Sequence, residues 1–171
     1  MKQENLAYAS SLAQPRVDCD LFRRCVSRFA TGVTVVTVGD AQHGFHGTTA
    51  NSFVSVSLAP PTVLISLKPG RMHDLIRREG RYGISILNDN QKDLSSHFAG
   101  QRDPGRSYGI DRHIDVPILK DSMAHLICEL TSTVHVHDHT LFIGEVIGCD
   151  HQEASPLIFY GSEYANLNAA N

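Results

Sequence analysis

The chain has 171 residues, 42% of them hydrophobic, which suits one domain with a single buried core, and it carries 15 basic against 18 acidic residues for a net charge of −3. With no basic block and a pI near 6.3, the sequence argues against nucleic acid and anionic membrane as partners. No stretch reaches the roughly 20 apolar residues of a membrane span. The opening MKQENLAYASSLAQPRVD lacks an apolar core of signal-peptide length, so a cytoplasmic location is expected.

Residues 1–17 show no periodicity and read as a flexible arm ahead of a domain over 18–171. Asp18 or Asp20 can cap a short helix in which Leu21, Phe22, Cys25, Val26 and Phe29 recur at helical spacing, opposite Arg23, Arg24 and Arg28, with Gly32 as its stop. Three β-branched runs follow, Thr31 to Val38, Asn51 to Leu58 and Thr62 to Leu67, each bounded by Gly, Asp or Pro. In the second, Val54, Val56 and Leu58 alternate with Phe53, Ser55 and Ser57, a pattern suited to the wall of a ligand groove. The third has no polar face and is expected to be buried on both sides.

A second helix is expected over about Met72 to Glu79, ending at Gly80, and then a strand over Tyr82 to Leu87. Gln91 to Phe98 reads as a helical turn, and Ala99 to His113 as a patternless, mobile loop. Two long strands, about His125 to Val136 and Thr140 to Asp150, precede a short one over Pro156 to Tyr160. Six or seven strands, mostly joined by connections too short for parallel crossovers, point to a mainly β fold, an antiparallel barrel with a few short helices.

Cys19, Cys25, Cys128 and Cys149 have no C-x-x-C spacing and read as free, buried thiols. No GxGxxG or GxxxxGK[ST] run is present, so a nucleotide would have to be held without the usual glycine-rich phosphate cradles. No nucleophile elbow or Ser-His-Asp set signals hydrolysis.

Three stretches have the composition of a site. In GTTANSFVSVSLAPP, from Gly47 to Pro61, short hydroxyl and amide side chains can hydrogen-bond a planar heterocycle without filling its space. By composition alone it is equally an ordinary solvated strand face. In SLKPGRMHDL, Lys68 and Arg71 flank Pro-Gly just before a helix, as an anion site requires, although two such cations can also be simply solvated. In HVHDHTLFIGEV, His135, His137 and His139 would share one face of an unbroken strand, and imidazole suits zinc, copper or iron.

Together these stretches resemble the flavin reductase-like, FMN-binding split-barrel proteins, the small reductase components of two-component flavin-dependent monooxygenases. The likeness runs from about Leu21 to Tyr164 and is strongest in FATGVTVVTV, TTANSFVSVSLAPP, GISILNDNQKDLSSHFAG, HDHTLFIGEV and SPLIFYGSEY. It implies a homodimer of six-stranded antiparallel split barrels that reduces FMN or FAD with NADH or NADPH and passes reduced flavin to a partner monooxygenase. Matched onto the motifs, Thr48, Thr49, Ala50, Asn51 and Ser52 would contact the flavin ring and ribityl chain, with Thr31, Thr34 and Ser66 nearby. Lys68, Gly70 and Arg71 would hold the flavin phosphate, and His139 would lie beside the nicotinamide in a positioning role, with no protein acid or base required and no metal.

Two positions depart from the family pattern. Gly70 and Met72 stand where relatives often carry Ser and Thr, and His137 stands where they carry glycine before the Asp-His pair. A passive flavin carrier would share the same flavin contacts while lacking turnover. A metal-binding barrel would instead use the histidine row.

Overall fold

The computed structural model describes residues 17–101, 105 and 108–167, so the expected N-terminal arm lies almost wholly outside the described residues. Chain order is α1 (Cys19–Val26), β1 (Thr31–Gly32), β2 (Thr34–Asp40), β3 (Gly44–Ala50), β4 (Phe53–Leu58), β5 (Pro61–Leu67), α2 (Arg71–Glu79), β6 (Arg81–Ile86) and α3 (Lys92–Phe98). The second half comprises β7 (Ile110–His113), β8 (Val116–Leu119), β9 (Ala124–Val136), β10 (His139–His151), β11 (Ile158–Tyr160) and β12 (Glu163–Ala165).

The main sheet is antiparallel, with the order β3-β2-β6-β9-β10-β5-β4, one strand more than the six expected. Two small sheets, β1-β11-β12 and β7-β8, accompany it. The added main-sheet strand is β3, whose glycines and threonines lack the β-branched apolar signature of its neighbours. The sheet is not closed by a ladder: β3 and β4 are its two free edges.

Inside the curl lies a core of Val36, Val38, Ile65, Tyr82, Ile84 and Phe142. Helix α2 joins it through Met72, Leu75 and Ile76, whose i, i+3, i+4 spacing puts them on one face. Gly80 ends that helix as expected, with φ 70° in the left-handed region and its N–H donated to Ile76 O at 2.9 Å. Cys128 is buried in the same cluster, and burial pushes its thiol up to about 12, which makes it inert as a nucleophile. The other three cysteines are exposed, contrary to the expectation of buried thiols.

Other expectations need correction. Asp18 does cap α1, accepting from Leu21 N at 2.8 Å, but the helix ends at Val26 with Ser27 as its cap, and Gly32 lies in β1. None of α1 is buried. β5 alternates between buried and half-buried positions, because the core covers only one of its faces. The last part of the expected loop is ordered: Ile110–His113 pairs with Val116–Leu119 as a hairpin. Its Asp, Arg, His and Pro residues hide it from a reading based on β-branched runs.

Candidate functional site

The two free edges of the main sheet are consecutive in the chain. β3 ends at Ala50 and β4 begins at Phe53, so Asn51 and Ser52 alone carry the backbone from one edge of the open sheet to the other. Two residues span only about 10 Å even when extended, so the sheet must curl until its edges nearly meet. Edge strands leave a row of unpaired N–H and C=O groups, and here two such rows face a split bridged by TANS.

Hydrogen bonds fix this segment. Thr34 Oγ1 donates to Ala50 O at 2.6 Å and Thr49 Oγ1 donates to Ser95 O at 2.6 Å. Ser52 Oγ donates to Ser66 O at 2.8 Å and accepts from Ser66 N at 3.1 Å. Thr34, Thr49, Ala50, Ser52 and Ser66 are therefore gathered, while Asn51 is exposed. A cavity of about 200 Å³ abuts them, lined by Val33, Thr49, Asn51, Ser95, Phe159 and Tyr164 among others. Thr31 lies two residues from Val33, and its Oγ1 is buried with no hydrogen-bond partner among the described residues. Thr48 instead lines a separate cavity of about 540 Å³.

The loop before α2 places its two cations apart. Lys68 Nζ lies 3.9 Å from the Asp138 carboxylate, while the Arg71 guanidinium donates to Asp40 and lies 2.7 Å from His43 Nδ1. Gly70, between them, is the residue preceding α2. Burial works against ionisation of Asp40, but the Gln42 N–H, Arg71 and His43 outweigh it and hold the carboxyl below its ordinary range. The buried carboxylate thus anchors Arg71.

His139 opens β10 and is half-buried, with Nδ1 2.9 Å from Asp138. That hydrogen bond, with Lys68 adding its charge, keeps Asp138 ionised below the usual carboxylate range. Lys68, Asp138 and His139 consequently form one chain of contacts. His73 Nε2 lies 3.1 Å from Thr140 Oγ1 and so ties α2 to the start of β10.

The three histidines do not lie along one unbroken strand, because the chain turns between Val136 and His139, in the gap expected between the two long strands. Val136 pairs with His139 across a two-residue turn, and His137 sits in it at φ 51°. This conformation suits glycine and separates His137 from its neighbours. Among the described residues, no group of three or more His, Cys, Asp or Glu side chains is arranged to hold a metal ion.

Ser95, Phe159, Tyr164 and Asp40 escaped the sequence reading. Ser95 joins the site through its carbonyl and through its hydroxyl, 2.8 Å from Tyr164 Oη. These partners lie 46 and 69 residues away, beyond any local pattern. Asp40 had one local signal, as the polar end of an apolar strand.

An open antiparallel barrel with a polar split, and an anion-suited loop entering a helix, defines a small ligand-binding split barrel. A profile of the flavin reductase-like domain matches residues 26–168, and the chain belongs to that family. It is 45% identical over 152 residues to the NADH-dependent flavin reductase StyB of Pseudomonas fluorescens, covering 86% of this chain and 89% of that one. It is 38% identical over 153 residues to an NADH-dependent FAD reductase of Streptomyces globisporus, covering 83% and 81%. The solved styrene monooxygenase flavin reductase of Pseudomonas putida matches with TM-score 0.82 at 42% identity, covering 88% of this chain and 99% of that one. Its fold is therefore the split barrel of such reductases.

Proposed function

We propose that this chain is an NADH-dependent flavin reductase that reduces FMN or FAD by hydride transfer and supplies the reduced flavin to a partner monooxygenase. The observation that carries the reading is the four-residue segment Thr49 to Ser52 crossing the split, in a chain similar along most of its length to reductases of this activity. The donor set fits a flavin. Small hydroxyl side chains are pinned back by their own hydrogen bonds, two sheet edges offer backbone donors and acceptors, and Thr31 Oγ1 is buried without a partner among the described residues.

Bound there, flavin would supply the electron sink, so the protein needs to position rings rather than act as acid or base. Thr49, Ala50, Asn51 and Ser52 would hold the ring and ribityl chain, with Thr31, Thr34, Thr48 and Ser66 supporting them. Lys68, Gly70 and Arg71 would receive the phosphate. Both cations already have a carboxylate partner, so a phosphate would join or replace an existing ion pair. His139, oriented by Asp138, would position the nicotinamide.

Two copies would complete the site. Val54, Val56 and Leu58 on the edge strand β4 are exposed apolar side chains beside the split, an edge suited to an isologous contact. No helix among the described residues is long and apolar enough to cross a membrane, and we place the enzyme in the cytoplasm.

The test crosses FMN and FAD with NADH and NADPH and follows nicotinamide absorbance. A saturable, protein-dependent rate with NADH and at least one flavin is expected. A protein that binds flavin but oxidises no nicotinamide above the protein-free rate would be a carrier, and the reading would fall.

A further inference from the structure

β10 pairs with β5 from Glu145 back to Thr140, and Thr140 opposite Leu67 is the last rung of that ladder. His139 lies one residue further out, with β9 alone beside it among the described strands. A strand end of this kind frays readily. The Lys68–Asp138 pair next to it spans 3.9 Å between side chains 70% and 75% exposed, and an ion pair that open to water holds little.

One side chain secures this end from the helix. His73 on α2 has a side chain only 12% exposed, and its Nε2 lies 3.1 Å from Oγ1 of the buried Thr140. Its ring also stands edge-on to Phe142, with centroids 5.2 Å apart. Thr140 and Phe142 are alternate, buried residues of β10, so His73 holds two successive inward positions of the strand. On its other side, Nδ1 lies 3.2 Å from the Asp74 carboxylate. With Nδ1–H donated to Asp74, the neutral imidazole accepts the Thr140 hydroxyl at Nε2.

Successive strand residues point to opposite faces, so fixing Thr140 inward fixes the direction in which His139 leaves the other face. Arg71, two residues before His73, does not depend on this contact, because the Asp40 carboxylate and His43 hold it separately. Loss of the His73 hydrogen bond therefore falls on His139 rather than on the loop suited to phosphate.

We propose that His73 is a positioning residue for His139: its hydrogen bond to Thr140 holds the outer end of β10, and with it the His139 imidazole, in place for a ligand. That this ligand is the nicotinamide rests on the flavin reductase reading.

Three single variants test the contact in steady-state assays with NADH. His73→Phe keeps a ring against Phe142 but removes the acceptor, Thr140→Val removes the donor at similar volume, and His73→Gln can place an amide oxygen where Nε2 stands. The first two should each raise KM for NADH about fivefold, with kcat and KM for flavin within about twofold of the parent, and His73→Gln should stay near the parent. His73→Phe combined with Thr140→Val separates positioning from stability. With both partners apolar nothing is left unsatisfied, so this protein should melt near the parent temperature while KM for NADH stays raised. A KM that returned to the parent value along with the melting temperature would reduce His73 to a structural role and overturn the proposal.

Amide hydrogen exchange on the ligand-free chain reads the same contact without turnover. His73→Phe should speed exchange over residues 139–141 about tenfold and leave β2 unchanged. Unchanged exchange there, or parent-level KM for NADH in every variant of an active reductase, would overturn the proposal. A parent that reduces no flavin with NADH, while His73→Phe speeds this local exchange, would keep the hold on His139 and remove the reductase reading.

Discussion

β2 and β4 carry similar valine-rich runs, TVVTV and FVSVS, and have opposite fates. Every residue from Thr34 to Val38 is buried, whereas five of the six residues of β4 are exposed. β2 is flanked by β3 and β6, while β4 has only β5 beside it. Val36 is fully buried and Val56 is 55% exposed, though both are strand valines with the same propensity. Burial is thus decided by position in the sheet, and β4 is left with an exposed apolar run on an edge.

The sharpest test of this contrast makes one chemical change on both strands. Val36→Asp places an unpaired charge in the core and should cost at least about 3–5 kcal/mol, enough to unfold most of the protein. Val56→Asp should leave stability to denaturant within about 0.5 kcal/mol once the chains are separate. Equal effects would erase the distinction.

The second test concerns the loop before the helix, where charge rather than burial matters. Replacing Lys68 and Arg71 together by Ala should weaken FMN by at least about tenfold, since a charge-assisted hydrogen bond contributes about 1.5–3 kcal/mol, and should leave riboflavin nearly unchanged. Equal weakening in fluorescence titrations would return both residues to ordinary surface charges.

A smaller effect needs no mutation. His125 on β9, the middle strand of the main sheet, is half-buried. Burial, and then the charge of His113 on β7, lower its pKa below the ordinary 6.5, against smaller opposing pulls from Asp150 and Asp111. The unfolded chain therefore binds the proton first. Stability should be at its full value above about pH 6.5 and fall as the pH drops from there through the lowered value, and His125→Gln should flatten that slope in denaturation curves. The smallest effect is at the open end, where His137→Gly removes a left-handed non-glycine residue and should stabilise by up to about 1 kcal/mol in thermal melts.

β2, β6 and β10 were legible because each is a β-branched run bounded by Gly, Asp or Pro. β3 was not, since GFHGTTA forms a strand by pairing with β2 rather than by its own propensity. The residues around the split were legible as a composition, small hydroxyls crowded beside an asparagine. Their partners were not: Ser95 reaches Thr49 and Tyr164 through contacts made only after folding. The break in the histidine row was legible as well, since the two long strands were expected to stop at Val136 and resume at Thr140, and the chain turns at His137 and Asp138.

In the proposed reductase, a second copy covers the exposed β4 edge and completes the flavin site. Light scattering on a size-exclusion peak of the flavin-loaded protein, assayed for NADH oxidation across the same peak, tests this directly. The expected result is a two-chain mass coinciding with the activity, with Val54→Asp and Val56→Asp together shifting the mass to one chain and removing the activity. A one-chain mass carrying the full rate would contradict it.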